Sequence, residues 1–147
     1  MILQEKASQY IPHEAPMLLV DDLIEITDTY AVASLKIQPD LMFCTAQGLP
    51  TWTSIELMAQ TISAFSGYQG HLNSAGPKVG FLLGTRKLNL PVPFFALGTQ
   101  LTIRVEKQSI HDGLGQFECC IDEGGYRICA VLTVYEPPSM TPEQSQI

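Results

Sequence analysis

Hydrophobic residues along this chain follow two different periods. Two short apolar runs, MLLVDDLIEI at 17–26 and YAVASLKI at 30–37, flank the polar triplet Thr27–Asp28–Thr29 and predict a pair of strands. From Pro39 to Pro50 the pattern lapses into a loop. Ile55, Met58, Ala59, Ile62 and Phe65 then recur at helical spacing and predict one helix over 52–67. Thr51 and Thr53 are candidate caps, and Gly67 or Gly70 marks the fraying end. Four more strands are predicted at 79–89, 99–108, 115–122 and 126–135. Pro91 and Pro93, then His111–Asp112–Gly113, then Glu123–Gly124–Gly125 supply the turn chemistry between them. With Gly124 and Gly125 central in a tight turn, Cys120 stands directly opposite Cys129.

A helix this apolar has to be covered on most sides. The economical cover is a strongly curved antiparallel sheet of five to seven strands wrapped around it, an α+β arrangement. A curved sheet leaves a strand edge, so edge-to-edge pairing into a dimer is expected. Residues 1–136 read as a single domain, and the proline-rich tail 137–147 as loosely attached.

Composition narrows the functions. Fifteen acidic against eight basic side chains give a formal charge of −7, which repels nucleic acid and anionic lipid. Glu5 and Lys6 stand where a secretion signal needs apolar residues, and no segment has the length of apolar chain that a bilayer span needs. A cytoplasmic protein is expected. Cys44, Cys119, Cys120 and Cys129 lack the paired spacing of a zinc site, so reduced, mostly buried thiols and no metal are expected.

One feature resists a purely structural account. The apolar stretch LPTWTSIELMAQTISAFSG (49–67) carries Glu56 and Gln60 one helical turn apart. The element order resembles the hotdog fold, and three segments resemble the 3-hydroxyacyl-acyl carrier protein dehydratases in particular. These are YIPHEAPMLLVDDLIEI (10–26), LPTWTSIELMAQ (49–60) and GFLLGTRKLNLPVPFFALGTQLTIRVEK (80–107). The resemblance spans residues 10–136, and its most specific part is the Glu-x-x-x-Gln helix.

The resemblance implies that Glu56 is the catalytic acid, with Gln60 beside it. Dehydration of a 3-hydroxyacyl thioester needs a base near one carbon and an acid near the next. Backbone N–H groups near Thr51, Trp52 and Thr53 would meet the thioester oxygen, with Trp52 as packing or tunnel wall. Arg86 and Lys87 would meet an acidic acyl carrier protein, or the carrier would be coenzyme A; no cofactor is implied. The chain departs from the family in one respect. Those dehydratases hold their base in a Gly-His-Phe-Pro loop before the helix, and the loop here, PDLMFCTAQGLP (39–50), has no histidine. His13 matches a family histidine that is not the base and is expected to be structural. His71 lies about 22 Å along the helix from Glu56, and His111 is expected in a solvated turn. Cys44 has no cation in its loop to activate it.

Three functions follow. A dehydratase-like protein of fatty acid or polyene-type biosynthesis would complete its site with a histidine-bearing paralogue. A hotdog thioesterase would use Glu56 on water or the carbonyl carbon. A non-catalytic partner would only stabilise a related dehydratase, with Glu56 bonded across a subunit interface.

Overall fold

The computed structural model is described for residues 1–72 and 81–137, with only the backbone considered at 71 and 72. Nine strands and one long helix are described: β1 (Ile2–Lys6), β2 (Asp22–Ile26), β3 (Tyr30–Lys36), β4 (Leu49–Pro50), α1 (Ser54–Leu72), β5 (Phe81–Arg86), β6 (Phe94–Phe95), β7 (Gln100–His111), β8 (Leu114–Asp122) and β9 (Arg127–Tyr135). Seven of the strands form a single antiparallel sheet in the order β1-β2-β3-β7-β8-β9-β5, and β4 pairs with β6 apart from it. α1 lies against β3, β7 and β8 in the middle of that sheet. This is the hotdog fold.

The inner face is written in alternation. Leu101, Ile103 and Val105 of β7, Phe117, Cys119 and Ile121 of β8, and Ile128, Ala130 and Leu132 of β9 are all buried. They face a helix that buries Leu57, Met58, Ile62, Ala64, Phe65 and Tyr68. Full burial of each large apolar side chain contributes about 1.5–3 kcal/mol, so this layer is what holds the sheet against α1. Two hairpin turns set the register. Asp112 and Gly113 both have positive φ, 52° and 81°, as the tight turn joining β7 to β8 requires. Gly124 and Gly125 turn β8 into β9 with Asp122 opposite Arg127 and Cys120 opposite Cys129, the register expected from the sequence.

Three expectations are corrected. β1 was not anticipated: its alternation of exposed and half-buried positions is too polar to stand out, yet it pairs with β2 along the sheet's edge. The strand expected from 17 begins at Asp22, because the backbone of Met17, Leu19 and Val20 bonds to the helix instead. Cys120 and Cys129 are joined as a disulfide rather than held as thiols. Their directly opposed positions put the Cα atoms 4.1 Å apart, close enough for the sulfurs to bond. The loosely attached tail lies outside the described residues except for Pro137. No described helix is long and apolar enough to cross a membrane.

Between β1 and β2 the chain crosses α1 at very short range. An ideal Cβ on Gly67 would fall 1.9 Å from the carbonyl oxygen of Tyr10, so only glycine permits this crossing. Edge-on contact between the Tyr10 and Tyr68 rings, 5.2 Å between centroids, holds the same crossing from the side. Gly67→Ala is expected to destabilise the fold by about 2 kcal/mol or more, read as a lower urea midpoint with an unchanged slope. An unchanged midpoint would mean the crossing segment is free to move away.

Candidate functional site

The helix that carries Glu56 is entered through a tied-down turn. β4 pairs with β6, and Thr51–Thr53 form a single 3-10 turn leading into α1. The Thr51 backbone N–H donates to Pro93 O at 2.9 Å and its hydroxyl to Val92 O at 2.5 Å, while the Thr53 hydroxyl donates to Pro50 O at 2.7 Å. Both threonines are buried and their hydroxyls are spent on backbone carbonyls, which anchors the start of the helix. The N–H of Ser54 is likewise taken, by Thr51 O. Of the N–H groups at this turn, those of Thr51 and Ser54 are therefore occupied. Trp52 is 56% exposed and packs edge-on against Phe43, away from Glu56's cavity.

Glu56 lies in the first turn of α1, where the helix dipole favours a carboxylate. Gln60, one turn on, is fully buried and makes four hydrogen bonds. Its Oε1 accepts from the N–H of Leu19 at 2.9 Å and of Val20 at 3.3 Å. Its Nε2 donates to Met17 O at 2.8 Å and to Glu56 Oε1 at 2.9 Å. Gln60 thus ties the 17–20 segment to the helix and fixes the orientation of the carboxylate. The adjacency read from sequence is confirmed, but the geometry gives Gln60 a positioning role: it is walled off from solvent and its polar atoms are all engaged.

The same segment brings a histidine into place. His13 Nε2 is 3.4 Å from Glu56 Oε1, and the two side chains are 34% and 36% exposed. His13, expected to be structural, thus stands beside Glu56, because the crossing at Gly67 and the Gln60 bonds carry residues 10–20 across the start of α1. His13 Nδ1 is buried and has no hydrogen-bond partner among the described residues. Nε2 is therefore the ring nitrogen that faces Glu56.

Both side chains open onto a cavity of about 420 Å³. Its walls are mainly apolar: Ala59 and Ile62 of α1, Phe81 and Leu82 of β5, Ile110 and Phe117 of the β7–β8 hairpin, and Val134 of β9. Ser63, Ser66 and Glu136 add polar points. Glu56 and His13 thus border a mainly apolar space, a lining that suits an apolar ligand with a few polar groups. None of these wall residues was singled out from sequence. The turn glycine Gly113, which also lines the cavity, was the available signal that this hairpin closes against something.

The remaining candidates lie elsewhere. Arg86 ends β5 and Lys87 follows it with φ 62°, both exposed and roughly 13 Å along the strand from Leu82. His111 ends β7, exposed and 3.4 Å from the Asp112 carboxylate of the turn that follows. Cys44 is half-buried, and burial, then the Asp40 carboxylate, push its thiol up, against a role as nucleophile. His71 falls in α1, with its side chain outside the described residues.

Gln60→Ala is expected to leave the Leu19 and Val20 N–H groups without their buried acceptor. At about 1–3 kcal/mol for each unsatisfied group, the loss is several-fold larger than for an exposed substitution. Unfolding in urea measures it, and amide exchange at Leu19 and Val20 should accelerate more than at the centre of β8. Equal acceleration throughout would assign the loss to the whole core instead.

Comparison with known proteins agrees with this geometry. A family model described as ApeP-like, ApeP dehydratase, matches residues 5–145. No curated protein matches the chain. Among solved structures, a chain of the dehydratase heterocomplex ApeI:P from Xenorhabdus doucetiae is 28% identical, with a TM-score of 0.82 over 96% of this chain and 95% of that one. A hypothetical thioesterase with coenzyme A from Streptococcus pneumoniae is 15% identical, TM-score 0.59, over 81% of this chain and 90% of its own. An HP0420 homologue from Helicobacter felis is 11% identical, TM-score 0.62, over 88% and 97%. These last two share the fold. With nearly its whole length matched by the family model, the chain belongs to the ApeP-like dehydratase family.

Proposed function

We propose that this chain takes part in the dehydration of 3-hydroxyacyl thioesters, in an assembly with a related hotdog protein, and that Glu56 is its catalytic acid. The observation that carries the reading is the cavity itself. A carboxylate on the central helix of a dehydratase-family chain stands at the polar end of an apolar space large enough for an acyl chain. Loss of water from a 3-hydroxyacyl thioester puts a proton on the departing hydroxyl, and a positioned carboxylic acid lowers that barrier. Gln60 occupies Glu56 Oε1 and leaves Oε2 without a hydrogen bond among the described residues, so Oε2 is the oxygen positioned to serve a substrate hydroxyl.

The partner follows from the sheet's edge. Among the described residues β5 pairs only with β9, and its Phe81, Leu82 and Leu83 are 53%, 41% and 59% exposed. An open edge with three exposed apolar side chains is a surface that pairing would cover. Phe81 and Leu82 also wall the cavity, so a second chain on this edge would complete the wall. The dehydratase heterocomplex among the similar structures supports a second hotdog protein as that chain. In this reading the acyl group arrives on an acyl carrier protein or coenzyme A, in fatty acid or polyene-type biosynthesis in the cytoplasm. Arg86 and Lys87 are then the candidate carrier contacts.

The test mixes the purified chain with a histidine-bearing hotdog paralogue and follows dehydration of a 3-hydroxyacyl thioester. The mixture is expected to sediment as a heteroassembly and to dehydrate. Glu56→Gln is expected to cut the rate by about 10²-fold or more without changing assembly, and Leu83→Glu to break assembly. Thioester hydrolysis by the chain alone, lost with Glu56→Gln, would establish a thioesterase instead. Assembly with undiminished dehydration after Glu56→Gln would leave the chain a non-catalytic partner.

A further inference from the structure

The loop at 39–50 holds no histidine, yet the carboxylate is not left without a basic neighbour. His13 reaches Glu56 from a different element, held there by backbone constraints at both ends of its segment. At one end the Tyr10 carbonyl is pressed onto Gly67; at the other Gln60 binds Met17, Leu19 and Val20. His13 and Glu56 meet at 3.4 Å, at the mouth of the same apolar cavity. A histidine kept for packing has its ring nitrogens tied to backbone or buried partners. Here Nδ1 has no partner among the described residues, and Nε2 meets only the carboxylate that the proposed chemistry uses.

We propose that His13, rather than a histidine lent by a partner chain, is the catalytic base that works with Glu56. The proposal rests on the dehydratase reading and names the missing half of its site. The cycle starts with the pair's proton on Glu56. His13 Nε2 takes the proton from C2 of the 3-hydroxyacyl thioester, and the electron pair of that C–H bond becomes the second bond between C2 and C3. The C3–O bond breaks, and the departing hydroxide takes the proton of the Glu56 carboxyl and leaves as water. The imidazolium then passes the C2 proton to the Glu56 carboxylate, which restores the starting pair. Direct contact between the two side chains is what closes this cycle without an outside proton carrier. Acid–base pairs in proteins without substrate are commonly longer than in the reacting complex, so 3.4 Å is compatible with transfer. The partner's part in this arrangement is to wall the cavity along β5.

The experiment assembles the full chain with a hotdog paralogue whose own loop histidine has been replaced by alanine, and assays 3-hydroxyoctanoyl-coenzyme A. The wild-type chain is expected to keep dehydrating in that assembly. His13→Ala in the same background should lower kcat by about 10²-fold or more with KM little changed, and added imidazole should restore part of the loss. Replacing only the paralogue's histidine and losing all activity would overturn the proposal and leave the dehydratase reading standing. A His13→Ala loss that imidazole does not relieve, or a kcat equal to wild type, would also overturn it. If the assembly with both histidines intact does not dehydrate the probe, or does so equally well with Glu56→Gln, the underlying reading fails instead.

Discussion

A fully buried primary amide has to satisfy two donors and a carbonyl oxygen without help from water, and Gln60 meets that demand by bonding to two separate parts of the chain. Three of its four hydrogen bonds go to backbone in the 17–20 segment, and the fourth goes to the carboxylate one turn earlier on the helix. The rest of the site depends on this arrangement. It decides where the chain between β1 and β2 lies, which carries His13 across the start of α1. It also sets the rotation of Glu56 at the cavity mouth. Without such a side chain the helix would still pack through Leu57, Met58 and Phe65 and the crossing would still be held at Tyr10, but its 17–20 end would lose its tie to the carboxylate.

The sheet supplies the second half of the geometry. Its central strands are fixed by alternation and by two glycine turns, and they offer α1 a continuous apolar surface. At the β5 end the pattern changes: side chains that would be buried in a complete barrel stand exposed, and the cavity opens beside them. The chemistry-bearing groups and the unpaired edge therefore border the same space. In the proposed function, Phe81 and Leu82 would serve both assembly and reaction, since they are exposed on β5 and wall the cavity.

How much of this was legible in the sequence varied with the physics involved. The central strands and the existence of the helix rest on local periodicity and were read correctly, as was the register of Cys120 against Cys129, which two adjacent glycines determine, but the helix runs on to Leu72 past the expected end near Gly67. Glu56 and Gln60 were visible because a charged and an amide side chain are costly inside an apolar helix. β1 was missed because an edge strand needs little burial and shows little pattern. The anchoring bonds of the Thr51 and Thr53 hydroxyls were not legible because one of their carbonyl partners, Val92, is brought close only by the pairing of β4 with β6. His13 was set aside on the strength of a resemblance. Its approach to Glu56 depends on a long-range crossing that no local spacing encodes.

The central claim is the proposal that C2 and C3 of a 3-hydroxyacyl thioester rest against the His13–Glu56 pair. A crystal structure of the assembled chain with an unreactive 3-hydroxyacyl amide analogue tests this most directly. The account predicts the 3-hydroxyl within hydrogen-bonding distance of Glu56 Oε2, C2 facing His13 Nε2, and the acyl tail running toward Phe117 and Val134. A carbonyl carbon facing Glu56, with the tail outside the cavity, would contradict it.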